Sequence, residues 1–160
     1  MFIAGAGAGL TASVSLSRRA ASFEEIARLI SFIQTQIRYT AAPIGRIIER
    51  AAAGGFSGLS FLNGAANDIK KGENPCAAWC QAVKKHSAEC SFNAADTELL
   101  QKFGQGLGSS DIKGQLSHCE TFYRLFDDRL NEARLEARSK GRLYMTLGVA
   151  GGLGTALLLL

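Results

Sequence analysis

The sequence predicts an all-α fold, in which a bundle of about six helices is flanked by a transmembrane helix at each end. Two observations in the middle of the chain support the bundle: apolar residues recur every three or four positions, and no alternating strand pattern occurs. A third observation concerns the ends. All 18 Lys and Arg and all 14 Asp and Glu lie between Arg18 and Arg142. The 160 residues therefore hold one domain between two uncharged segments.

The first predicted element is an N-terminal transmembrane helix over residues 1–17, MFIAGAGAGLTASVSLS. No positive residue precedes it, which argues against a secretory signal. Because the segment is rich in Gly, Ala and Ser, a disordered or interfacial tail is the alternative. Arg18 and Arg19 follow at once, and positive residues beside a spanning segment stay on the cytoplasmic side.

Residues 18–142 form the predicted cytoplasmic helical domain. Its first amphipathic helix is expected from Ser22 to Tyr39, where Ser22 and Glu25 have the spacing of a capping box. A second helix is expected after Pro43, which ends the first one.

The next three helices are marked by their start and stop residues. Gly54 ends the second helix. A third helix is expected over about residues 56–71, with a weaker helical pattern because of Gly58 and Gly64. Asn74 and Pro75 open a fourth helix, since proline at the first helical position needs no amide partner. Asn93 caps the fifth helix.

The last helix of the domain has the most regular pattern. Its apolar positions alternate steps of four and three residues, as in a helix that packs lengthwise against others. These positions are Ile112, Leu116, Cys119, Tyr123, Phe126, Leu130, Ala133 and Ala137. No proline follows Pro75, so this helix is expected to continue through Gly141 into the C-terminal segment.

Residues 143–160, LYMTLGVAGGLGTALLLL, form the predicted C-terminal transmembrane helix. The segment reaches the lower limit of about 17 apolar residues for a spanning helix, and Tyr144 is a suitable interfacial aromatic. A buried core helix is the alternative, but so short a chain cannot cover it on all sides. The basic residues before it again favour a cytosolic middle domain. They are Arg134, Arg138, Lys140 and Arg142.

Each end segment contains a G-x-x-x-G pair: Gly5 with Gly9, and Gly148 with Gly152. In lipid such pairs let helix backbones approach closely. The two ends are therefore expected to pack on each other, on a second copy in a homo-oligomer, or on another membrane protein. The alternative is that glycine is simply frequent in spanning helices.

The glycine-rich segment 103–115, FGQGLGSSDIKGQ, does not predict a phosphate site. A phosphate loop needs a preceding strand and usually a Gly-Lys-Ser/Thr, and both are missing from the sequence. We expect Gly104, Gly106 and Gly108 to unwind one helix. Ser110 or Asp111 then caps the next helix, and Gly114 allows a close approach.

No metal, cofactor or catalytic site is predicted. Cys76, Cys80, His86 and Cys90 suit zinc in softness, but one helix would separate the first from the last by roughly 20 Å. With Cys119 they are expected to be reduced thiols of a cytosolic domain. Neither histidine is paired by the sequence with a nucleophile. The net charge of +4 is explained by the basic residues beside the membrane segments, without nucleic acid.

Three short motifs stand out in the chain. The first is Leu107-Gly108-Ser109-Ser110-Asp111 followed by Gly114-Gln115, the second is Ala78-Trp79, and the third is Arg142-Leu143-Tyr144 followed by Leu147-Gly148. They resemble the LG-x-SD-x-x-GQ, AW and R-x-Y-x-x-LG elements of the stage III sporulation protein AB family. The resemblance covers nearly the whole chain.

The resemblance implies a bacterial membrane protein of the channel that joins mother cell and forespore during endospore formation. The family is similar to the inner-membrane platform proteins of type II secretion and type IV pilus machines. Its expected partners are the stage III sporulation AA protein, a secretion-type ATPase, and other membrane subunits of the same complex. The helical domain would lie on the cytoplasmic side of the mother cell membrane.

Four residues of these motifs are candidates for partner contacts. Trp79 is either a binding anchor or a core residue. Asp111, Gly114 and Gln115 are either structural or contact residues. A generic membrane-anchored adaptor outside sporulation is the alternative function, and a small enzyme or nucleotide-binding protein is the third.

Overall fold

The computed structural model describes the backbone of residues 3–158 and the side chains of residues 14–140 and Leu143. Over that backbone the chain forms six α-helices and one 3₁₀ turn, without a strand. The helices are α1 Ile3–Thr40, α2 Ile44–Ala53, α3 Phe61–Lys70, α4 Pro75–His86, α5 Ala94–Gly106 and α6 Ile112–Leu158, and the 3₁₀ turn is Ser87–Cys90. The predicted all-α bundle of about six helices is confirmed.

The two long helices, α1 and α6, run antiparallel and form the spine of the molecule. Phe23 of α1 lies 6.2 Å from Phe126 of α6, measured between ring centroids, and Glu24 accepts a hydrogen bond from Arg134. The short helices α2 to α5 follow one another along the spine, α2 packing on α3, α3 on α4 and α4 on α5.

The core is continuous from the spine to the short helices. Its centre is Trp79 of α4, whose indole makes edge contacts with Phe61 at 5.1 Å and Phe103 at 5.7 Å. Phe103 in turn lies 6.3 Å from Phe126 on α6. An aromatic chain therefore joins α3, α4, α5 and α6, and burial of such large side chains contributes most of the stability of a small bundle.

Several predicted helix ends are confirmed. The Asn74 side chain accepts hydrogen bonds from the amides of Cys76 and Ala77, with Pro75 in the first turn. Asn93 forms a full capping box with Asp96 at the start of α5. The third helix begins later than predicted, at Phe61, because the residues before it form tight turns.

The predicted start of a helix at Ser22 is wrong. Helix α1 runs without interruption from Ile3 to Thr40, and Ser22 is buried within it. Ser22 and Glu25 have the spacing of a capping box, but no proline interrupts the chain before Pro43, so the helix does not begin there. Glu25 pairs instead with Arg28, one turn further on.

The predicted continuation of the last helix through Gly141 is confirmed, since α6 extends from Ile112 to Leu158. Two positions of its predicted apolar stripe face solvent, Ile112 at 53% and Tyr123 at 38% exposure. Phe122 takes the inner position instead, with its ring centroid 5.5 Å from that of Phe103.

The predicted transmembrane helices cover residues 1–17 and 143–160. In the backbone they are the outer ends of α1 and α6 and not separate helices. Over the residues that the structure describes, none of the helices contains an apolar stretch of the length that a membrane span requires. Most of both segments lies outside the described side chains, including the glycine pairs Gly5–Gly9 and Gly148–Gly152.

Candidate functional site

The glycine-rich segment forms the end of α5, a turn, and the start of α6, and Gln115 closes that turn. Gln115 is 4% exposed. Its Oε1 accepts a hydrogen bond from the Gly108 amide at 2.8 Å, and its Nε2 donates to the Gly106 carbonyl and the Ser110 hydroxyl, both at 3.1 Å. One buried amide side chain thus satisfies three polar groups of the turn.

Asp111 caps α6. Its Oδ1 accepts a hydrogen bond from the Gly114 amide at 2.8 Å, and its carbonyl accepts one from the Gln115 amide at the same distance. Gly114 lies tightly against Ser110, whose hydroxyl would be 2.6 Å from an added Cβ. The LGSSD and GQ residues therefore act together in building the turn.

The expectation that Gly104 and Gly106 unwind α5 is wrong. Both lie inside the helix, and each admits an aromatic ring to its backbone. A Cβ on Gly104 would come 2.0 Å from Cδ1 of Trp79, and one on Gly106 would come 2.1 Å from Cε1 of His118. Only Gly108 lies in the turn itself, where its φ of +77° favours glycine.

Trp79 has no exposed surface. Its indole Nε1 donates a hydrogen bond of 2.9 Å to the carbonyl of Leu100 on α5. Of the two alternatives that the sequence leaves open for Trp79, the core position describes its place in this structure.

A cleft of about 600 Å³ opens beside the α5–α6 turn. It lies at the end of the bundle where α1 finishes and α6 begins, and so at the opposite end from the two terminal segments. The starts of α2, α4 and α6 all border it, through Ile44, Pro75 and Ile112. Gln115 is part of its wall, whereas Asp111 and Gly114 do not line it and are hydrogen-bonded to each other beside it.

A buried ion pair joins α1 to α5 and was missed by sequence reasoning. Arg19, 8% exposed, donates from Nε to Oδ2 of Asp96 at 2.7 Å and from Nη2 to Oδ1 at 3.0 Å. Its Nη1 also reaches Glu136 on α6 at 3.2 Å. Arg19 is thus held by the protein and not at a lipid surface, the place suggested by its position beside the N-terminal segment.

The environment of this pair explains why it is stable in the interior. Asp96 is fully buried, and its Oδ2 also accepts a hydrogen bond from the Asn93 amide, as the second half of the capping box. The hydrogen bonds to Asp96 raise the pKa of the Arg19 guanidinium. The guanidinium also lies 5.4 Å from the ring centroid of Phe23. The charges are therefore paired in a bidentate geometry, which is the arrangement that compensates for desolvation.

The cysteines are separate thiols with different degrees of burial. Cys90 and Cys119 are buried, and burial raises the pKa of both, that of Cys119 to about 11. Burial is also the main reason why the pKa of Cys80 is raised. Among the described side chains, no three His, Cys, Asp or Glu residues lie close enough to share a metal ion.

The two histidines make structural contacts. Nδ1 of His86 lies 2.9 Å from Oε1 of Glu89 at the 3₁₀ turn. Nε2 of His118 lies 2.8 Å from the carbonyl of Phe103, and its ring stacks on that phenyl at 5.4 Å. Neither ring is hydrogen-bonded to a serine, threonine or cysteine side chain in the described region, so the arrangement resembles no nucleophile–base pair.

Comparison with known proteins places this fold in a family. A solved structure of stage III sporulation protein AB (SpoIIIAB) is similar, with a TM-score of 0.66 and 19% sequence identity over 76% of this chain and 97% of that chain. Among proteins with curated descriptions, none matches the chain. The model of the stage III sporulation protein AB family matches residues 1–160. Because this match extends over the whole chain, the protein belongs to the stage III sporulation protein AB family.

Proposed function

We propose that this sporulation protein is a membrane-anchored docking platform of the channel between mother cell and forespore. Its end segments hold it in the mother cell membrane, and its helical body binds a secretion-type ATPase and membrane subunits of the channel. The body performs no chemistry itself. The observation that carries the proposal is the polarity of the molecule: both uncharged ends leave the bundle on one side, and the cleft opens on the other.

The antiparallel spine produces this polarity. Two contacts set the register of the spine near the end of the bundle from which the terminal segments extend. They are Arg19 with Glu136, and Glu24 with Arg134. Beyond them the start of α1 and the end of α6 extend in the same direction. Arg18 and Arg138, both exposed, lie where the spine leaves the bundle and are well placed to meet anionic lipid head groups.

The register also gives the glycine pairs a role. If it is carried outward along both helices, Gly9 comes alongside Gly148, and Gly5 alongside Gly152, to within about one helical turn. Small residues at facing positions let two helices approach closely in lipid. The two end segments would then pack as an antiparallel pair of helices in the membrane.

The rest of the molecule supports a binding role. The family is a sporulation family, and the solved relative shares the helical fold. Buried aromatic rings and a buried ion pair make the bundle a firm body, and the described side chains show no nucleophile–base pair or metal cluster. A rigid helical body with an open cleft suits a protein that positions partners.

Co-purification from sporulating cells in mild detergent tests the proposal. We expect the full-length protein to bring down the stage III sporulation AA ATPase in stoichiometric amounts, at a salt concentration that keeps other membrane complexes intact. The matched control is a chain that keeps the body and loses residues 143–160. It should lose the membrane subunits while keeping the ATPase. Absence of the ATPase from the full-length sample would refute the docking role.

A further inference from the structure

We propose that the thiols of Cys76 and Cys80, one turn apart on α4, bind a single monovalent copper ion. The ligand class is a soft metal ion that is satisfied by two thiolates, of which Cu(I) is the common biological example. This site is independent of the platform role, since it depends only on α4 and on its neighbour α5.

The spacing of the two cysteines places their side chains on one face of α4. Residues at positions i and i+4 of a helix are neighbours, with Cβ atoms about 5–6 Å apart. A disulfide needs Cβ atoms about 3.5–4.5 Å apart, so it would distort the helix. Two metal–thiolate bonds of about 2.3 Å each supply the missing length. An ion between the two sulfurs therefore fits the helix without distortion.

The helix that carries the pair is firmly held against α5. Trp79, next to Cys80, is fully buried and donates its hydrogen bond to the carbonyl of Leu100. Sγ of Cys80 donates to the Gln101 carbonyl at 3.6 Å, and Nε2 of Gln101 donates to the Cys80 carbonyl at 3.3 Å. The backbone that carries both thiols is therefore fixed before an ion arrives, which lowers the entropic cost of binding.

An ion can reach the pair through the cleft beside the α5–α6 turn. Cys76 lines this cleft, and so does Gln105. Cys76 and Cys80 are both partly exposed, whereas Cys90 and Cys119 are 1% and 0% exposed. The pair on α4 therefore holds the two thiols that are accessible to an ion from solvent.

The two thiols are close enough to influence each other's ionisation. Burial raises the pKa of Cys80, and the negative charge of Cys76 raises it further, whereas a hydrogen bond from Gln105 acts in the opposite direction. A cation between the sulfurs would replace the repulsion of two thiolates by attraction. Binding would release the two thiol protons to the solvent, and the Gln105 side chain would support the Cys80 thiolate from behind.

Two thiolates suit copper better than zinc. Structural zinc is bound by four protein ligands, and no third His, Cys, Asp or Glu joins this pair among the side chains that the structure describes. Cu(I) is a soft d¹⁰ ion that two thiolates satisfy in a near-linear arrangement, and thiolate ligands select it. The expectation against zinc concerned four residues spread along the helix, whereas this pair needs only one turn.

Competition for Cu(I) tests the inference. The full-length chain in detergent micelles is reduced, freed of small thiols and titrated without oxygen with Cu(I) bound to bicinchoninate, whose colour reports the copper it keeps. We expect the chain to take up one Cu(I), with two sulfur ligands in X-ray absorption. Cys76→Ser and Cys80→Ser should each weaken binding by more than about a hundredfold, since loss of a hydrogen-bond partner behind a metal ligand already costs about 10–100-fold. Cys90→Ser leaves the pair intact and should bind like the parent chain.

A moved thiol distinguishes a paired site from the mere presence of two cysteines. Cys80→Ser combined with Gln81→Cys keeps the number of thiols, but it turns the second one about 100° around the helix to an exposed position. We expect this chain to bind copper as weakly as Cys80→Ser alone. Equal helicity of all variants shows that folding is not the cause.

The other outcomes overturn the inference. They are a parent chain that takes no copper from bicinchoninate, binding that survives in either serine variant or in the moved pair, and half an ion per chain shared between two copies. One equivalent of zinc held as tightly as copper would contradict it as well. Co-purification of the ATPase is read separately, so the copper result decides the role of this pair alone.

Discussion

At the scale of single residues, local signals and long-range contacts differ in how far a sequence reveals them. Asn74 and Asn93 could be predicted as caps because a cap bonds to amides two or three positions away. Asp96, the partner of Arg19, lies 77 positions further along the chain, and no residue near Arg19 in the sequence indicates this pairing. Gln115 likewise stands in a recognisable motif, but its role depends on the folded turn around it.

Removal of one partner from the buried ion pair should be costly. We expect Asp96→Asn to lower the free energy of unfolding by about 3–5 kcal/mol, because the Arg19 charge would stay buried without its counter-charge. The measurement is urea unfolding of the full-length chain in detergent micelles, followed by far-UV circular dichroism. Glu98→Gln, in the same helix at an exposed pair with Lys102, should lower the free energy of unfolding far less, because water screens that pair. Equal losses for the two variants would contradict the buried pairing.

Two helical glycines should respond in opposite directions to alanine. Gly104→Ala should destabilise the chain by about 1–3 kcal/mol, because its Cβ would collide with the Trp79 ring. Gly64→Ala should stabilise α3 by about 0.5–1 kcal/mol, since the nearest atoms to its Cβ would be 3.4 Å away and alanine favours the helix. Melting temperatures of the two variants, measured side by side, decide this. A stabilised Gly104→Ala would mean that Trp79 does not pack there.

The buried thiol of Cys119 predicts a loss of stability in alkali. Below about pH 8.5 the thiol is protonated in the folded and the unfolded chain. Between that pH and the folded pKa of about 11, only the unfolded chain releases the proton, so unfolding becomes easier, by up to about 3 kcal/mol. Cys119→Ala removes this contribution. The difference in stability between the two chains should therefore be constant near neutral pH and shrink from pH 8.5 to 11. A pH-independent difference would contradict the raised pKa.

At the scale of elements, periodicity predicts which segments are helical, and helix ends are less certain. The apolar stripe of α6 and the end of α2 at Gly54 can be predicted because each depends on residues close together in the sequence. The start at Ser22 was wrong because a cap can act only where the helix begins, and α1 has already been helical since Ile3. Phe122 takes the inward position that the stripe predicts for Tyr123, and its ring packs against that of Phe103.

The register of α1 and α6 can be tested by engineered disulfides. In a full-length chain whose native cysteines are replaced, Gly9→Cys with Gly148→Cys should crosslink within one chain under mild oxidation in membranes. The reason is that the register of the Arg19–Glu136 contact brings these positions together. Gly154→Cys, placed six residues further along, should crosslink to position 9 at least about tenfold more slowly, since six residues of helix span roughly 9 Å. Gel mobility and mass distinguish intrachain from interchain products. Equal rates for the two pairs would contradict the continued register.

At the scale of the whole molecule, the sequence predicts the all-α fold class and the arrangement of one charged domain between two uncharged end segments. The cleft depends on the assembled fold. Its wall combines the end of α1, the starts of α2 and α4, and the α5–α6 turn. These segments are spread over residues 37 to 115, and the packing of the short helices along the spine brings them to one end. The LGSSD and GQ residues predict a turn from the sequence alone. The position of that turn beside a cleft, at the end of the bundle opposite the chain ends, can be seen only in the structure.

Alkaline carbonate extraction of membranes from sporulating cells tests the central claim most directly. The platform account requires that the two uncharged ends hold the helical body at the membrane. It therefore predicts that the full-length protein stays in the membrane pellet, and that a chain of residues 18–142 is released to the supernatant. Release of the full-length protein by carbonate, together with its recovery as a freely soluble monomer, would contradict the account.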